Sequence, residues 1–218
     1  MVSVFPPFLT LNSSFLIFSK PAIPNPVNDA FNYIAVLVSI IIGLAATRLL
    51  SAMSEMLQVA NRPRTYWVHI MWILTLFIQV LLSWWILYRW HYTTIWTFFL
   101  FVWVTIPAIL MYLASAVLFP GELETSGSPD WRDYYYKNRR SFFLIFGSIA
   151  PLDIVDTLLK GKQHFFDQGV LYLAFIAVWG FGCLTAAISS NPRYHAIWAI
   201  TFPAMIIGYA AIVLLQLG

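Results

Sequence analysis

The chain has 218 residues, 61% of them hydrophobic and only 10% charged, with a formal charge of +3. Soluble domains carry roughly 25% charged residues, so with a mean hydropathy of +0.77 a water-soluble enzyme or a basic nucleic-acid-binding domain is excluded and a membrane protein is indicated. A single cysteine, Cys183, rules out an intrachain disulfide and a multi-cysteine metal site.

Residues 1–28 stand apart. "VFPPFLTLNSSFLIF" is apolar but short, and contains Pro6 and Pro7. It lacks a basic start and a small-residue cleavage site, so it reads poorly as a signal peptide. "KPAIPNPVND" adds three prolines and reads as extended chain. The expectation is a poorly ordered or interfacial segment over 1–28, dispensable for folding, and a transmembrane domain over 29–218 whose first helix is capped by Asn28.

A bilayer core of about 30 Å needs about 20 apolar residues at 1.5 Å each. Six stretches meet that length, at 31–53, 66–88, 95–119, 141–159, 169–189 and 194–217. The predicted fold is all-α, an integral membrane bundle of six helices. The first helix continues to about Ala60, where "NRPR" breaks it. Ser39, Gly43, Thr47, Ser51, Glu55 and Gln58 recur along one of its faces, either to pack closely against a neighbour or to line a water path. In the second and third spans Trp84, Trp85, Trp90 and Trp96 form a belt at one interface and Trp67 marks the other. Trp72, Trp103 and Trp179 lie deeper and are expected in the core.

The longest connection ends in "SPDWRDYYYKNRR". Ser128, Pro129 and Asp130 make a helix start that can run unbroken into the fourth span. Tyr134, Tyr135 and Tyr136 are then expected at headgroup level, with Lys137, Arg139 and Arg140 reaching lipid phosphates. Asn191 and Pro192 cap and start the sixth span.

Charge orients the bundle. Lys20, Arg89, Lys160 and Lys162 fall on one side, against Arg48, Arg62, Arg64, Arg132, Lys137, Arg139, Arg140 and Arg193 on the other. The larger group belongs in the cytoplasm, so both termini are expected outside.

Asp153 and Asp156 interrupt the apolar run "SIAPLDIVDTLLKGK". Entering at Ser141, they lie about 18 and 23 Å along the fourth span, on one face. Pro151 has no N–H to give the Gly147 carbonyl. A bent helix with a spare carbonyl and two carboxylates suits a proton or a cation, and charge at that depth costs several kcal/mol. The plainer account of Asp156 is an ion pair with Lys160, four residues on. Gln79, Arg89 and His91, on and after the second span, are allowed to join Asp153 and Asp156 in one cluster.

Other chemistry is not supported. No Gly-x-Ser-x-Gly or HExxH motif is present. His69 and His91 stand 22 residues apart, about 33 Å on a helix, which does not suit stacked haems, and no cofactor is called for. "LDIVDTLLKG" faintly resembles the start of the CDP-alcohol phosphotransferase motif. Thr157 replaces its glycine, no Ala-Arg follows and only Asp167 comes later, leaving that metal site incomplete.

From "FNYIAVLVSIIIGLAATRLL" onward, through "YLASAVLFP" and "YYYKNRRSFF" to "LDIVDTLLKG", the chain resembles a group of small six-span bacterial inner-membrane proteins of unknown function. The resemblance implies class and a plasma-membrane location, with no activity to carry over. The expected function is passage or sensing of a small cation or proton at Asp153. The alternative is a non-catalytic scaffold or subunit of a membrane complex, and a lipid-modifying enzyme using the basic face is a third idea. The partner called for is the lipid bilayer; a second copy or another membrane subunit is left open, and nothing points to nucleic acid.

Overall fold

A computed structural model describes residues 26–58, 65–93, 95–120 and 130–215, apart from the side chains of 26–29, 57–58, 89, 92 and 213–215. The described residues form eight α-helices: α1 (Pro26–Gln58), α2 (Trp67–Leu87), α3 (Phe98–Val117), α4 (Trp131–Gly147), α5 (Ile149–Leu159), α6 (Lys162–Asp167), α7 (Gly169–Ile188) and α8 (Pro192–Leu215). A 3₁₀ turn, Tyr88–Tyr92, follows α2. Six segments are long and apolar enough to cross a membrane: Ala30–Met56, Trp67–Leu87, Phe98–Val117, Trp131–Leu159, Gly169–Ile188 and Pro192–Ile212. The protein is an all-α, six-span membrane bundle. The end where α1 begins is called the near end below, and the opposite one the far end.

The helix starts follow from local chemistry. α1 begins at Pro26, whose missing N–H costs nothing in a first turn; Asn28 lies inside the helix and does not cap it. The leading segment to residue 25 lies outside the described residues. Asp130 caps α4, its Oδ1 accepting from the Arg132 and Asp133 N–H groups at 2.8 and 3.4 Å, so the fourth span starts ten residues before Ser141. Asn191 Oδ1 accepts from the Arg193 N–H at 3.0 Å ahead of Pro192, as the sequence indicates. The fourth span breaks at Ser148, one turn ahead of the first-turn Pro151.

α1 packs on α2 and α3; α4 and α5 pack on α3 and α7; α8 closes the ring between α7 and α2. The buried face of α1 is Phe31, Ile34, Val38, Ile42, Ala45 and Leu49. The small and polar stripe expected to pack or line a water path does neither within the bundle. Gly43, Thr47, Ser51 and Glu55 are exposed on the outside, and among the described side chains of the stripe only Ser39 takes a bond, from Trp84 Nε1 at 3.0 Å. An apolar face won the interior because its larger side chains fill the seam with α2 and α3.

The centre is aromatic. Trp72, Phe142, Phe143, Phe146 and Phe202 are fully buried. Their ring centroids lie 4.8 Å apart for Trp72–Phe143, 5.4 Å for Phe146–Phe202 and 5.7 Å for Trp72–Phe202. Lipid tails are as apolar as these rings, so the layer is held by packing more than by exclusion of water; each aromatic pair contributes about 0.5–1.5 kcal/mol. Two glycines make the close packing possible. A Cβ on Gly147 would lie 2.7 Å from Cys183 Cβ across the α4–α7 seam, and one on Gly182 would overlap the Trp198 ring. Trp84, Trp85 and Trp67 are exposed as an interface belt requires, whereas Trp90 is buried and Trp96 half-buried in the bundle.

Candidate functional site

The near half of the bundle holds a cavity of about 80 Å³. Its walls come from α1, α2, α3, α5 and α7. Its polar lining is Gln79, Ser83, Asp153 and Asp156, and its apolar lining includes Ile42, Val104, Met111, Trp90 and Trp179. Three of the five residues nominated from the sequence, Asp153, Asp156 and Gln79, therefore meet at one space. His91 is not part of that lining. His91 packs edge-on against Phe31 at 5.3 Å and stacks on Tyr88 at 5.7 Å, away from the lining. The Arg89 side chain lies outside the described residues.

The two aspartates have different surroundings. Asp156 pairs with Lys160, whose ammonium sits 4.9 Å from the centroid of the buried Trp90 ring. That arrangement matches the plain ion-pair account and adds a cation–π contact. Asp153 faces α7. Tyr172 Oη donates to Asp153 Oδ2 at 2.7 Å and also lies 3.1 Å from the Asp153 carbonyl. A phenol has one proton, so Thr157, 3.0 Å away, must donate to the Tyr172 oxygen. The result is a relay, Thr157 to Tyr172 to Asp153, in which Thr157 and Tyr172 are both buried.

Gln79 is only 7% exposed, lines the cavity, and makes no side-chain hydrogen bond among the described residues. Its amide atoms are open to the cavity, where a water or a ligand can bond them. Opposite it, Pro107 lies inside α3 and also lines the space; without an N–H it leaves the α3 ladder one bond short there. At its far side the cavity ends on Trp179, which packs on Phe146 at 5.3 Å and on Phe202 at 5.6 Å.

A second polar group lies at the far end and departs from the sequence reading. Tyr134 and Tyr135 are buried within the bundle instead of turned outward, because α4 packs on its neighbours from its first turn. The Tyr134 hydroxyl donates to the Val117 carbonyl at 3.1 Å. Tyr135 Oη and His195 Nδ1 are 2.8 Å apart, and His195 Nε2 is 3.0 Å from the Ser189 carbonyl. A carbonyl only accepts, so Nε2 carries the proton and Tyr135 donates to Nδ1 of the neutral ring. Arg139 does not reach outward to phosphate. It donates to the carbonyls of Tyr136 and Ser189 at 2.6 and 3.0 Å and to Ser190 Oγ at 2.7 Å, clamping the α7–α8 corner. Burial and the Tyr136 hydroxyl 3.1 Å away push the Tyr66 phenol above its ordinary range. His69 is buried among Phe119, Trp131, Tyr134 and Tyr135, with neither ring nitrogen hydrogen-bonded. The space beside it, about 10 Å³, has room for one water at most.

Sequence reasoning missed Tyr172, Thr157 and Pro107. A hydroxyl or a proline inside an apolar span is a legible signal, but Tyr172 was read as part of the span. Among the described residues no group of three His, Cys, Asp or Glu side chains is arranged to hold a metal. No protein-family model, curated protein or solved structure matches the chain.

Proposed function

We propose that this membrane protein binds and senses a small cation or a proton at Asp153, with the near end of the bundle on the outer side of a bacterial inner membrane. The observation that carries the reading is the convergence of polar groups on Asp153 from two other helices, Gln79 of α2 across the cavity and Tyr172 of α7. A carboxylate held only for packing would meet one helix across a dry face. The location follows from the resemblance to small bacterial inner-membrane proteins and from the basic excess at the far end, where Arg132, Lys137, Arg140 and Arg193 are exposed.

Sensing is favoured over passage by the aromatic layer. Trp179, Phe146, Phe202 and Trp72 close the bundle between the cavity and the far-end histidines. A charge crossing that layer would shed its hydration with no polar group to replace it. The scaffold reading draws on a different observation, the Asp153–Tyr172 bond, which already ties α5 to α7.

The deciding experiment follows tryptophan fluorescence of the reconstituted protein against pH and monovalent cations, with flux measured in the same liposomes. A saturable response without flux is expected, lost in Asp153→Asn. No response dependent on Asp153 would leave the scaffold reading, and steady flux would replace sensing with passage.

A further inference from the structure

We infer that the groove between α4–α5 and α7 seats one acyl chain of an anionic phospholipid from the far-end leaflet, with the lipid phosphate on Arg140. The inference does not involve Asp153, so it stands or falls apart from the cation reading.

The groove is hydrocarbon in character. Its floor is Gly147, Ala150 and Gly180, where the helices come so close that a Cβ on Gly180 would lie 3.8 Å from Ala150 Cβ. Leu144, Leu173 and Leu184 stand exposed along its rims. The polar side chain of the lining, Ser148, spends its proton on the Ile145 carbonyl at 2.7 Å. The walls therefore offer dispersion contacts to an apolar chain and no side-chain donor to a polar one.

Its depth matches one leaflet. Leu184 and Leu173 lie about 6 and 22 Å below Ile188, the last residue of α7, at 1.5 Å per residue. On the other wall Phe143 and Ile154 lie about 5 and 21 Å below Arg140. In a hydrocarbon core about 30 Å thick, that is mainly the far-end half.

Charge selects the head. Arg140, Leu144, Gly147 and Pro151 follow one another at spacings of four, three and four, so the exposed Arg140 stands on the groove face, one turn outside it. Arg139 donates to Ser190 Oγ at 2.7 Å across the seam, which sets this end of α4 level with the α7–α8 corner. The exposed Ser190 hydroxyl accepts in that bond and keeps its own proton. A phosphate diester at that level takes paired N–H groups from Arg140 and an O–H from Ser190. The carboxylate on this face, Asp133, stands about 10 Å further out, with Lys137 between them. Arg132 and Arg193 are also exposed at this end, which favours a net anionic head over a zwitterionic one. The same charge argues against a second copy in the groove. Copies inserted the same way and meeting here about a two-fold axis would bring Arg140 against Arg140.

Native mass spectrometry of the full chain in detergent micelles tests this, with phosphatidylglycerol as the probe against phosphatidylcholine of the same chains. One phosphatidylglycerol is expected to stay bound per chain, above the background of phosphatidylcholine. Arg140→Gln should weaken it about fivefold, while Arg132→Gln, on another face of α4, should leave it unchanged. Ala177→Leu fills the groove from an exposed position and should weaken it at least about threefold. Unfolding midpoints are recorded so that folded variants are compared. Equal retention of the two lipids, or equal losses from Arg140→Gln and Arg132→Gln, would mean unselective boundary lipid and overturn the inference. Binding that responds to Arg140→Gln but not to Ala177→Leu would remove the chain from the groove and overturn it too. A lipid-free dimer dispersed by Ala177→Leu would give the groove to a second copy instead.

Discussion

Replacing Tyr172 by phenylalanine removes one oxygen and reports on the charge of Asp153. Two bonds are lost, the 2.7 Å donation to Asp153 Oδ2 and the acceptance from Thr157 at 3.0 Å. The second loss is small. The Asp153 carbonyl that Tyr172 vacates is four residues before Thr157, so the threonine hydroxyl can turn back to it. Thr75 and Thr105 already bond the carbonyls of Met71 and Phe101 that way, at 2.6 and 2.8 Å. The first loss depends on ionisation. A hydrogen bond to a charged group contributes about 1.5–3 kcal/mol, whereas neutral side-chain bonds inside membrane bundles average about 0.6 kcal/mol. With Asp153 ionised, Tyr172→Phe should cost about 2 kcal/mol. In an Asp153→Asn background the same change should cost about 0.6 kcal/mol, leaving a coupling of about 1–2 kcal/mol in the double-mutant cycle. Reversible unfolding in mixed micelles measures all four corners. A cost below about 0.5 kcal/mol in both backgrounds would refute the charged Tyr172–Asp153 contact, and with it the argument that Asp153 is held ready for a cation.

The α4–α7 seam gives a second prediction: Gly147→Ala must push Cys183 away and should destabilise by about 1–3 kcal/mol. Gly43→Ala meets nothing within 4 Å and should be neutral or slightly stabilising, so equal unfolding midpoints for the two variants would count against the tight seam. For orientation, cysteines introduced near Arg62 and Ser126 should be shielded from an impermeant reagent in intact cells, and one near Gln163 labelled. The native Cys183 is buried and should stay silent; the reverse labelling pattern would invert the proposed topology.

What the sequence alone determined is the architecture. Six apolar runs with polar interruptions leave one economical solution in a bilayer, because every backbone group in lipid must be bonded within its own helix. Helix starts such as Asn191–Pro192 and the Asp156–Lys160 pair were legible for a similar reason: their partners lie within a turn, at spacings the helix itself dictates. The far end of α4 shows where this stops. Tyr134, Tyr135 and Arg139 have the composition of an interface anchor, and composition does not tell a lipid headgroup from the Ser189 carbonyl as the partner. The small stripe of α1 was misplaced on the same ground, since periodicity gives a face without saying what it faces.

Tertiary structure alone decided the site. Asp153 is drawn to Tyr172, nineteen residues away, and to a cavity whose unpartnered amide comes from α2. Both depend on which helices are neighbours and how each is rotated. In lipid that choice rests on packing, on glycines such as Gly147 and Gly182 that let particular helices approach, and on aromatic rings that fit only one way round. Those terms act between distant segments and leave no local period in the chain.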